Sequence, residues 1–153
     1  MKKNYIYLAV LLVATVGLTF LLSSIYNKEV NSVSHSYEKL NKITSDEFEE
    51  YMIENPDTIV YLSDKNDLNK NKFEKKFVKK LENLNLLENA IYIEKDEINN
   101  KFKDLLKTNY DYKLDEKNLP TIIVIDSGSV VQSVVVEKTS NVETIIDYGV
   151  FEW

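Results

Sequence analysis

The chain has 153 residues, 44% of them hydrophobic, which is enough for one compact core beside an apolar N-terminal run. Its formal net charge is −6, and because Lys2 and Lys3 precede that run, the rest carries −6 − 2 = −8. Such an acidic chain is poorly suited to neutralise phosphates, so we predict no nucleic-acid partner, and the absence of cysteine excludes disulfides, thiolate nucleophiles and cysteine-ligated metals.

Little in the sequence points to catalysis. The single histidine, His35, lies in a serine-rich segment with no second histidine to help it hold a metal, and nothing supports a Ser-His-Asp site. We therefore interpret it as a solvated linker residue. Phosphate-binding loops, dinucleotide-binding fingerprints and the zinc motif HExxH are also missing. The sequence predicts a protein that is not an enzyme and that holds neither a cofactor nor a metal.

The N-terminal segment has the length and apolarity of a membrane anchor. Residues 5–22, YIYLAVLLVATVGLTFLL, carry no charge, and a helix rising about 1.5 Å per residue through this uncharged region can cross a hydrocarbon core of roughly 30 Å. A cleaved signal peptide is the alternative, although its apolar region usually has only about 7–15 residues. Lys2 and Lys3 favour a cytoplasmic N-terminus.

We therefore expect a single-pass protein of the cell membrane in three parts. Residues 1–26 form the anchor and contact the lipid bilayer through residues 5–22. Residues 27–42 form a polar connector, and residues 43–153 form an extracytoplasmic domain.

The predicted domain begins with a helix and a strand. A capping box and a hydrophobic staple predict a helix from Thr44 to about Glu54. The residues that form these two motifs are Ile43, Thr44, Glu47 and Phe48. After the helix-breaking Asn-Pro-Asp sequence, residues 58–62, TIVYL, are rich in β-formers and predict a strand.

A long amphipathic helix is predicted next, from Leu68 to Leu84. Its apolar stripe lies opposite a lysine face, made of Lys72, Lys75, Lys76, Lys79 and Lys80. We place Glu74 and Glu82 on this face as solvated residues. The lysine face is suited to an acidic partner or anionic lipid, although a solvated surface is the simpler interpretation.

The remaining elements alternate in type. Residues 90–94, AIYIE, predict a second strand, and apolar residues from Ile98 to Leu106 predict another helix. Strands alternating with helices imply right-handed crossovers and a parallel pair. Two β-rich runs around the turn at residues 126–129 then predict an antiparallel hairpin. A closing helix is predicted from Ser140, with a capping box and three inward-facing side chains; the residues are Glu143, Val142, Ile145 and Ile146.

This order of elements resembles the thioredoxin-like family. Leu119-Pro120-Thr121, before a β-branched strand, resembles the family's cis-proline signature, and Ser127-Gly128 lies where the family has its hairpin turn. The resemblance implies a three-layer α/β/α domain with a mixed sheet. More narrowly, VYLSDKNDLNKNKF, residues 60–73, resembles thiol-disulfide proteins that accompany bacteriocin maturation in Gram-positive bacteria. The family's Cys-x-x-Cys falls on Asp67-Leu68-Asn69-Lys70, so its thiol chemistry does not carry over.

The resemblance also implies a binding site. In thioredoxin-like domains, the helix N-terminus and the backbone before the cis-proline face each other across a groove for an extended peptide. We therefore predict a site for a peptide or a membrane partner protein at Asp67, Asn69, Lys70, Leu119, Pro120 and Thr121. Asp67 is also suited to cap the helix. Two alternatives stay open, a non-catalytic subunit that assists a cysteine-containing oxidoreductase and a structural scaffold of a membrane complex.

Overall fold

The computed structural model of the chain describes residues 2–30, 33–137, 140 and 142. The chain divides into two units, Met1–Ser32 and Val33–Trp153. The first unit contains one helix, α1 (Lys2–Val30). Among the residues that the structure describes, no helix meets both the length and the apolarity that a membrane crossing requires.

Apolar side chains project outward from the middle of α1. Eight of them expose 48–74% of their surface: Leu11, Leu12, Val13, Val16, Leu18, Phe20, Leu21 and Leu22. The two threonines between them satisfy their hydroxyls within the helix, since Thr15 donates to the Leu11 carbonyl at 2.6 Å and Thr19 to the Thr15 carbonyl at 2.8 Å. The described part of α1 therefore presents an apolar surface.

The second unit is built on a five-stranded mixed sheet. Its strands are β1 (Asn41–Lys42), β2 (Thr58–Ser63), β3 (Ala90–Glu94), β4 (Thr121–Asp126) and β5 (Ser129–Val135), in the spatial order β1-β3-β2-β4-β5. β3 pairs in parallel with β1 and β2, while β4 pairs antiparallel with β2 and β5. Every residue of β2 and β3 is buried, as expected for central strands covered on both faces.

Helices cover both faces of this sheet. On one face, α2 (His35–Lys39) and α4 (Asn71–Asn83) lie over a core that includes Ile59 and Tyr61 of β2. On the other face, α3 (Phe48–Glu54) and α5 (Asn100–Tyr110) cover Val60 and Leu62. The strand period of two sends alternate side chains to opposite faces. The predicted three-layer α/β/α arrangement with a mixed sheet is confirmed.

The predicted hairpin of β4 and β5 is also confirmed. Its turn residues Ser127 and Gly128 have φ values of 49° and 76°. Two successive positive φ values are typical of a type I′ turn, whose twist matches that of the flanking strands. The backbone N–H of Ser127 donates to a carboxylate oxygen of Asp57 at 2.8 Å, which ties the turn to the loop before β2.

The first helix of the predicted domain starts later than expected, at Phe48. One half of the capping box forms, because the Glu47 carboxylate accepts from the Thr44 N–H at 2.9 Å. Residues 45–47 form a turn before the helix. The Ser45 hydroxyl donates to the carbonyl of Glu97 and accepts from the Asn99 side chain at 3.1 Å, and these bonds hold the chain outside the helix.

The last part of the predicted connector belongs to the folded unit. Residues 35–39 form α2, residues 41–42 form β1, and Leu40 between them is 3% exposed in the core. His35 is half-buried, and its backbone N–H donates to the Asn71 side chain at 3.0 Å, so its interpretation as a solvated linker residue is wrong. The polar composition of this segment predicted a linker. In the structure Ser34, Ser36 and Leu40 are buried, and the N–H of Ser36 donates to Glu74 of α4.

At the C-terminal end, the predicted closing helix lies largely outside the described residues. Val142 is 2% exposed and belongs to the core, as predicted. Ser140 is described as well, and its hydroxyl accepts from the Glu137 N–H at 2.7 Å. Glu143, Ile145 and Ile146 lie outside the described residues.

Candidate functional site

The segment that follows β2 forms one wall of the candidate site. The loop after Ser63 is closed by short aspartate-centred turns, because Asp64 accepts from the Asn66 N–H at 2.8 Å. Asp67 then caps a 3-10 turn, Leu68–Lys70, by accepting from the backbone N–H and side-chain amide of Asn69 at 3.1 and 3.0 Å. The predicted capping role of Asp67 is confirmed.

The segment that precedes β4 forms the opposite wall. A 3-10 turn, Glu116–Asn118, leads into a cis peptide bond between Leu119 and Pro120. The carbonyl of Pro120 accepts from the N–H of Val136 at 2.8 Å. Pro120 lies immediately before Thr121, the first residue of β4. At this position the missing N–H of proline removes no hydrogen bond from the sheet.

These two walls, together with Lys95 after β3, line a cleft of about 280 Å³. Its lining residues are Asp64, Asp67, Lys95, Glu116, Lys117, Leu119 and Pro120. The cleft combines three carboxylates with two amines. Three of the sequence-predicted site residues, Asp67, Leu119 and Pro120, thus lie together although about fifty residues separate them.

Leu119 presents its backbone at this cleft. Its side chain is partly buried against the core beneath the α3 and α5 layer. Among the residues that the structure describes, neither the N–H nor the C=O of Leu119 has a hydrogen-bond partner. An extended backbone with free polar groups next to a cleft can accept another extended chain through main-chain hydrogen bonds.

The other three predicted site residues lie elsewhere. Thr121 is 1% exposed within β4, and its hydroxyl donates to the carbonyl of Asn118 at 2.6 Å. Its role in the structure is to hold the turn before the strand. Asn69 and Lys70 line a second cavity, of about 310 Å³, on the other side of the 3-10 turn. The backbone rotation through that turn separates residues that are adjacent in sequence.

A buried polar cluster beneath the sheet was missed by sequence reasoning. Glu74 of α4 is 0% exposed, so its placement among solvated residues is wrong. Its carboxylate accepts from the Tyr61 hydroxyl at 3.0 Å and from the Ser36 N–H at 3.1 Å. The spacing of Glu74 from the apolar residues of the helix could have predicted its burial. Glu74 lies three residues before Phe77 and four before Val78, which places it on the buried stripe of the helix.

Burial also raises the pKa values of the acidic groups in and beside this cluster. Desolvation raises the pKa of the Glu74 carboxyl, while hydrogen bonds from Ser36 and Tyr61 act in the opposite direction. Burial and the nearby Glu74 charge raise the pKa of the Tyr61 hydroxyl well above its ordinary value. Glu94, whose carboxylate accepts from the Lys65 N–H, also has its pKa raised by burial. These groups hold α2 and the end of β3 in place.

The tyrosines of β2 and β3 lie in the core. Tyr61 and Tyr92 are almost fully buried, and their ring centroids lie 5.9 Å apart in an edge-on arrangement. Tyr51 is partly buried on α3.

In residues 2–30, 33–137, 140 and 142, no group of three or more histidine, aspartate or glutamate side chains could hold a metal ion.

A scan against protein-family models and a search of curated proteins each gave no match. Among solved structures, the chain is similar to one described as "A putative oxidoreductase with a thioredoxin fold", at 17% sequence identity and a TM-score of 0.55. The alignment covers 72% of this chain and 94% of that one, and at this identity the likeness concerns the fold alone. The chain therefore has a thioredoxin-like fold, and it contains no cysteine with which to perform thiol chemistry.

Proposed function

We propose that this protein binds an extended peptide, or an extended segment of a partner protein, in the cleft beside Leu119 and Pro120, and that it performs no thiol-disulfide exchange. The observation that carries the proposal is the backbone of Leu119, whose N–H and C=O have no partner among the described residues. A bound peptide would pair with these groups as an added strand. No sulfur is needed for this interaction.

The charges of the cleft define the kind of peptide. Asp64, Asp67 and Glu116 supply negative charge, while Lys95 and Lys117 supply positive charge. Glu116 is paired with Lys103, and Asp64 and Asp67 each accept from a backbone N–H. Such a lining suits a polar peptide with both kinds of charge better than an apolar one, because an apolar segment would remove water from these charged groups without replacing it. Main-chain pairing then provides affinity, and the charged side chains provide selectivity.

We also propose that α1 anchors the protein in the cell membrane, with the thioredoxin-like domain outside the cytoplasm. Support comes from the uncharged run at residues 5–22 and from the exposed apolar side chains of α1. The internal hydrogen bonds of Thr15 and Thr19 fit an apolar surrounding, where a polar group must find its partner within the helix. A setting in bacteriocin or peptide export, maturation or immunity rests on the resemblance of residues 60–73.

The test is site-specific photocrosslinking in intact cells that express the full chain. A photoreactive residue replaces Lys117 in the cleft, and a matched exposed lysine on α5, Lys101, is the control. A peptide or protein segment captured at position 117 and not at position 101 is the expected result. A synthetic copy of the captured segment is then titrated into isotope-labelled full-length protein, and the amide resonance of Leu119 should shift.

Other outcomes lead to other functions. Equal capture at positions 117 and 101, or an unmoved Leu119 resonance, would overturn the proposal and favour the structural scaffold. Thiol-dependent turnover that appears only when a cysteine-containing oxidoreductase is added would instead favour the non-catalytic subunit.

A further inference from the structure

The second cavity has a lining unlike that of the first. It encloses about 310 Å³, and its lining residues are Asn69, Lys70, Lys72, Phe73, Lys76, Glu137, Ser140 and Val142. None of these residues lines the cleft beside Leu119 and Pro120. Among the described lining residues, three carry amines and one carries a carboxylate. The cavity is therefore basic, although the chain as a whole carries a net charge of −6.

The lysines of this cavity are arranged in a definite way. Lys70 donates from Nζ to the carbonyl of Val136 at 2.7 Å, which ties the start of α4 to the segment after β5. Lys72 and Lys76 are exposed and lie four residues apart, so they form one row along the helix. Lys75 and Lys79 are exposed as well and extend the basic surface beyond the cavity.

The walls of the cavity limit what can bind there. Phe73 and Val142, which are 9% and 2% exposed, are the apolar residues that line the cavity. Glu137 lies in the segment after β5 and not on α4. Its carboxylate would repel a ligand whose negative charge is spread evenly. The ligand must therefore place its negative charge on the lysine row and an apolar group between the walls. A flat lipid surface would contact the exposed lysines without filling the space between the walls.

We propose that this cavity binds an acidic peptide segment whose carboxylates pair with Lys72 and Lys76 and whose aliphatic or aromatic side chain contacts Phe73 and Val142. A volume of about 310 Å³ lies at the small end of the range of ligand sites, about 300–1,000 Å³, so it admits a few side chains and not a folded domain. This inference is independent of the proposed function, because the two sites share no residue.

The test uses the full-length chain in phosphatidylcholine nanodiscs and three labelled decapeptides, which alternate leucine with glutamate, glutamine or lysine. Fluorescence anisotropy should show binding of the glutamate peptide that weakens as salt is raised, since screening reduces exposed charge pairing. The double variant Lys72→Glu/Lys76→Glu should weaken this binding by about ten-fold or more. The control variant, Lys101→Glu/Lys107→Glu on α5, should bind as the wild type does.

Three results would overturn the proposal. The first is equal affinity of the wild type and the Lys72→Glu/Lys76→Glu variant for the glutamate peptide. The second is binding of the lysine or glutamine peptide as tight as that of the glutamate peptide. The third is full displacement of the glutamate peptide by inorganic phosphate at low concentration or by phosphatidylglycerol vesicles, which would assign the lysines to a simple anion or to a lipid surface.

Discussion

Oε1 of Glu74 accepts a hydrogen bond from the hydroxyl of Tyr61 at 3.0 Å, with both side chains fully buried. The other oxygen of the same carboxylate accepts from the N–H of Ser36 in α2. One carboxylate of α4 therefore joins the central strand β2 to the helix α2. The five predictions below concern the stability of this fold. Each is measured on the full chain by urea unfolding, followed through the near-ultraviolet circular dichroism of its tyrosines, except where another method is named.

Glu74 should make stability depend on pH in an unusual direction. Its pKa in the folded protein is raised above the ordinary value of 4.5, so the folded state binds the proton more tightly than the unfolded chain. Between 4.5 and the raised pKa, the free energy of unfolding contributed by Glu74 therefore falls as pH rises, by at most about 1.4 kcal/mol per pH unit.

Glu74→Gln removes this titration. The stability of the wild type relative to this variant should decline as pH rises above about 4.5 and become constant once the pH exceeds the raised pKa of Glu74. Glu82→Gln, on the exposed side of the same helix, removes an equal charge and serves as the control. A pH profile that is the same in the two variants would contradict the raised pKa of Glu74.

Glu74→Ala should destabilise the protein at neutral pH. The change leaves the Tyr61 hydroxyl and the Ser36 N–H buried without their acceptor, and each such group costs about 1–3 kcal/mol. We expect a loss of about 2–4 kcal/mol in the free energy of unfolding. Glu82→Ala should change it by less than about 0.5 kcal/mol. A loss equally small for Glu74→Ala would show that the carboxylate does not hold these elements together.

Gly128→Ala should destabilise the hairpin of β4 and β5. Gly128 has a φ of 76°, and an added Cβ would meet no atom within 4 Å, so the cost comes from the backbone conformation alone. A left-handed conformation costs a non-glycine residue about 1–2 kcal/mol. Ser129→Ala, at the exposed first residue of β5, is the control and should change stability little. Unchanged or increased stability of the Gly128 variant would argue against the type I′ turn.

Asp67→Ala should weaken the 3-10 turn Leu68–Lys70, which leads into α4, through loss of its cap. The carboxylate accepts from the Asn69 N–H, and removing such a cap costs about 1 kcal/mol. Asp67→Asn keeps an acceptor oxygen in the same place and should retain most of the stability. If the two variants lose stability equally, the negative charge of Asp67 and not its capping bond is what matters.

Reducing agent should not change the thermal stability of the protein. The chain contains no cysteine, so no disulfide can be lost. Thermal unfolding with and without dithiothreitol should give the same midpoint, and the purified protein should not reduce insulin. A midpoint that shifts with dithiothreitol would indicate a covalent sulfur-containing adduct.

The elements that could be predicted are those with a strong local pattern. β2 and β3 are continuous runs of β-formers, and α4 has an apolar stripe of Phe73, Phe77 and Leu81 that the structure buries. The turn at Ser127 and Gly128 has its own sequence signature. Each of these patterns is complete within a short segment, so neighbouring residues suffice to identify it.

The failures involve partners that are distant in sequence. Glu74 looked like one more charged residue in a lysine-rich helix, because its acceptor role depends on Ser36, which lies 38 residues earlier. The two-residue strand β1 pairs with β3 about fifty residues later, and it carries no β-pattern of its own. Burial of a polar group or a short strand is favourable only when such a distant partner is present.

The sequence by itself determined that this protein has no cysteine thiol, that it carries an uncharged apolar N-terminal run, and that its helices and strands follow the thioredoxin order. Only the tertiary structure decided how the candidate site residues are grouped. Asp67 shares a cleft with Leu119 and Pro120, whereas Asn69 and Lys70 share a basic cavity with Glu137. The physical reason is that composition and periodicity act over a few residues, while a cavity is formed by chain segments that meet only after the sheet has assembled.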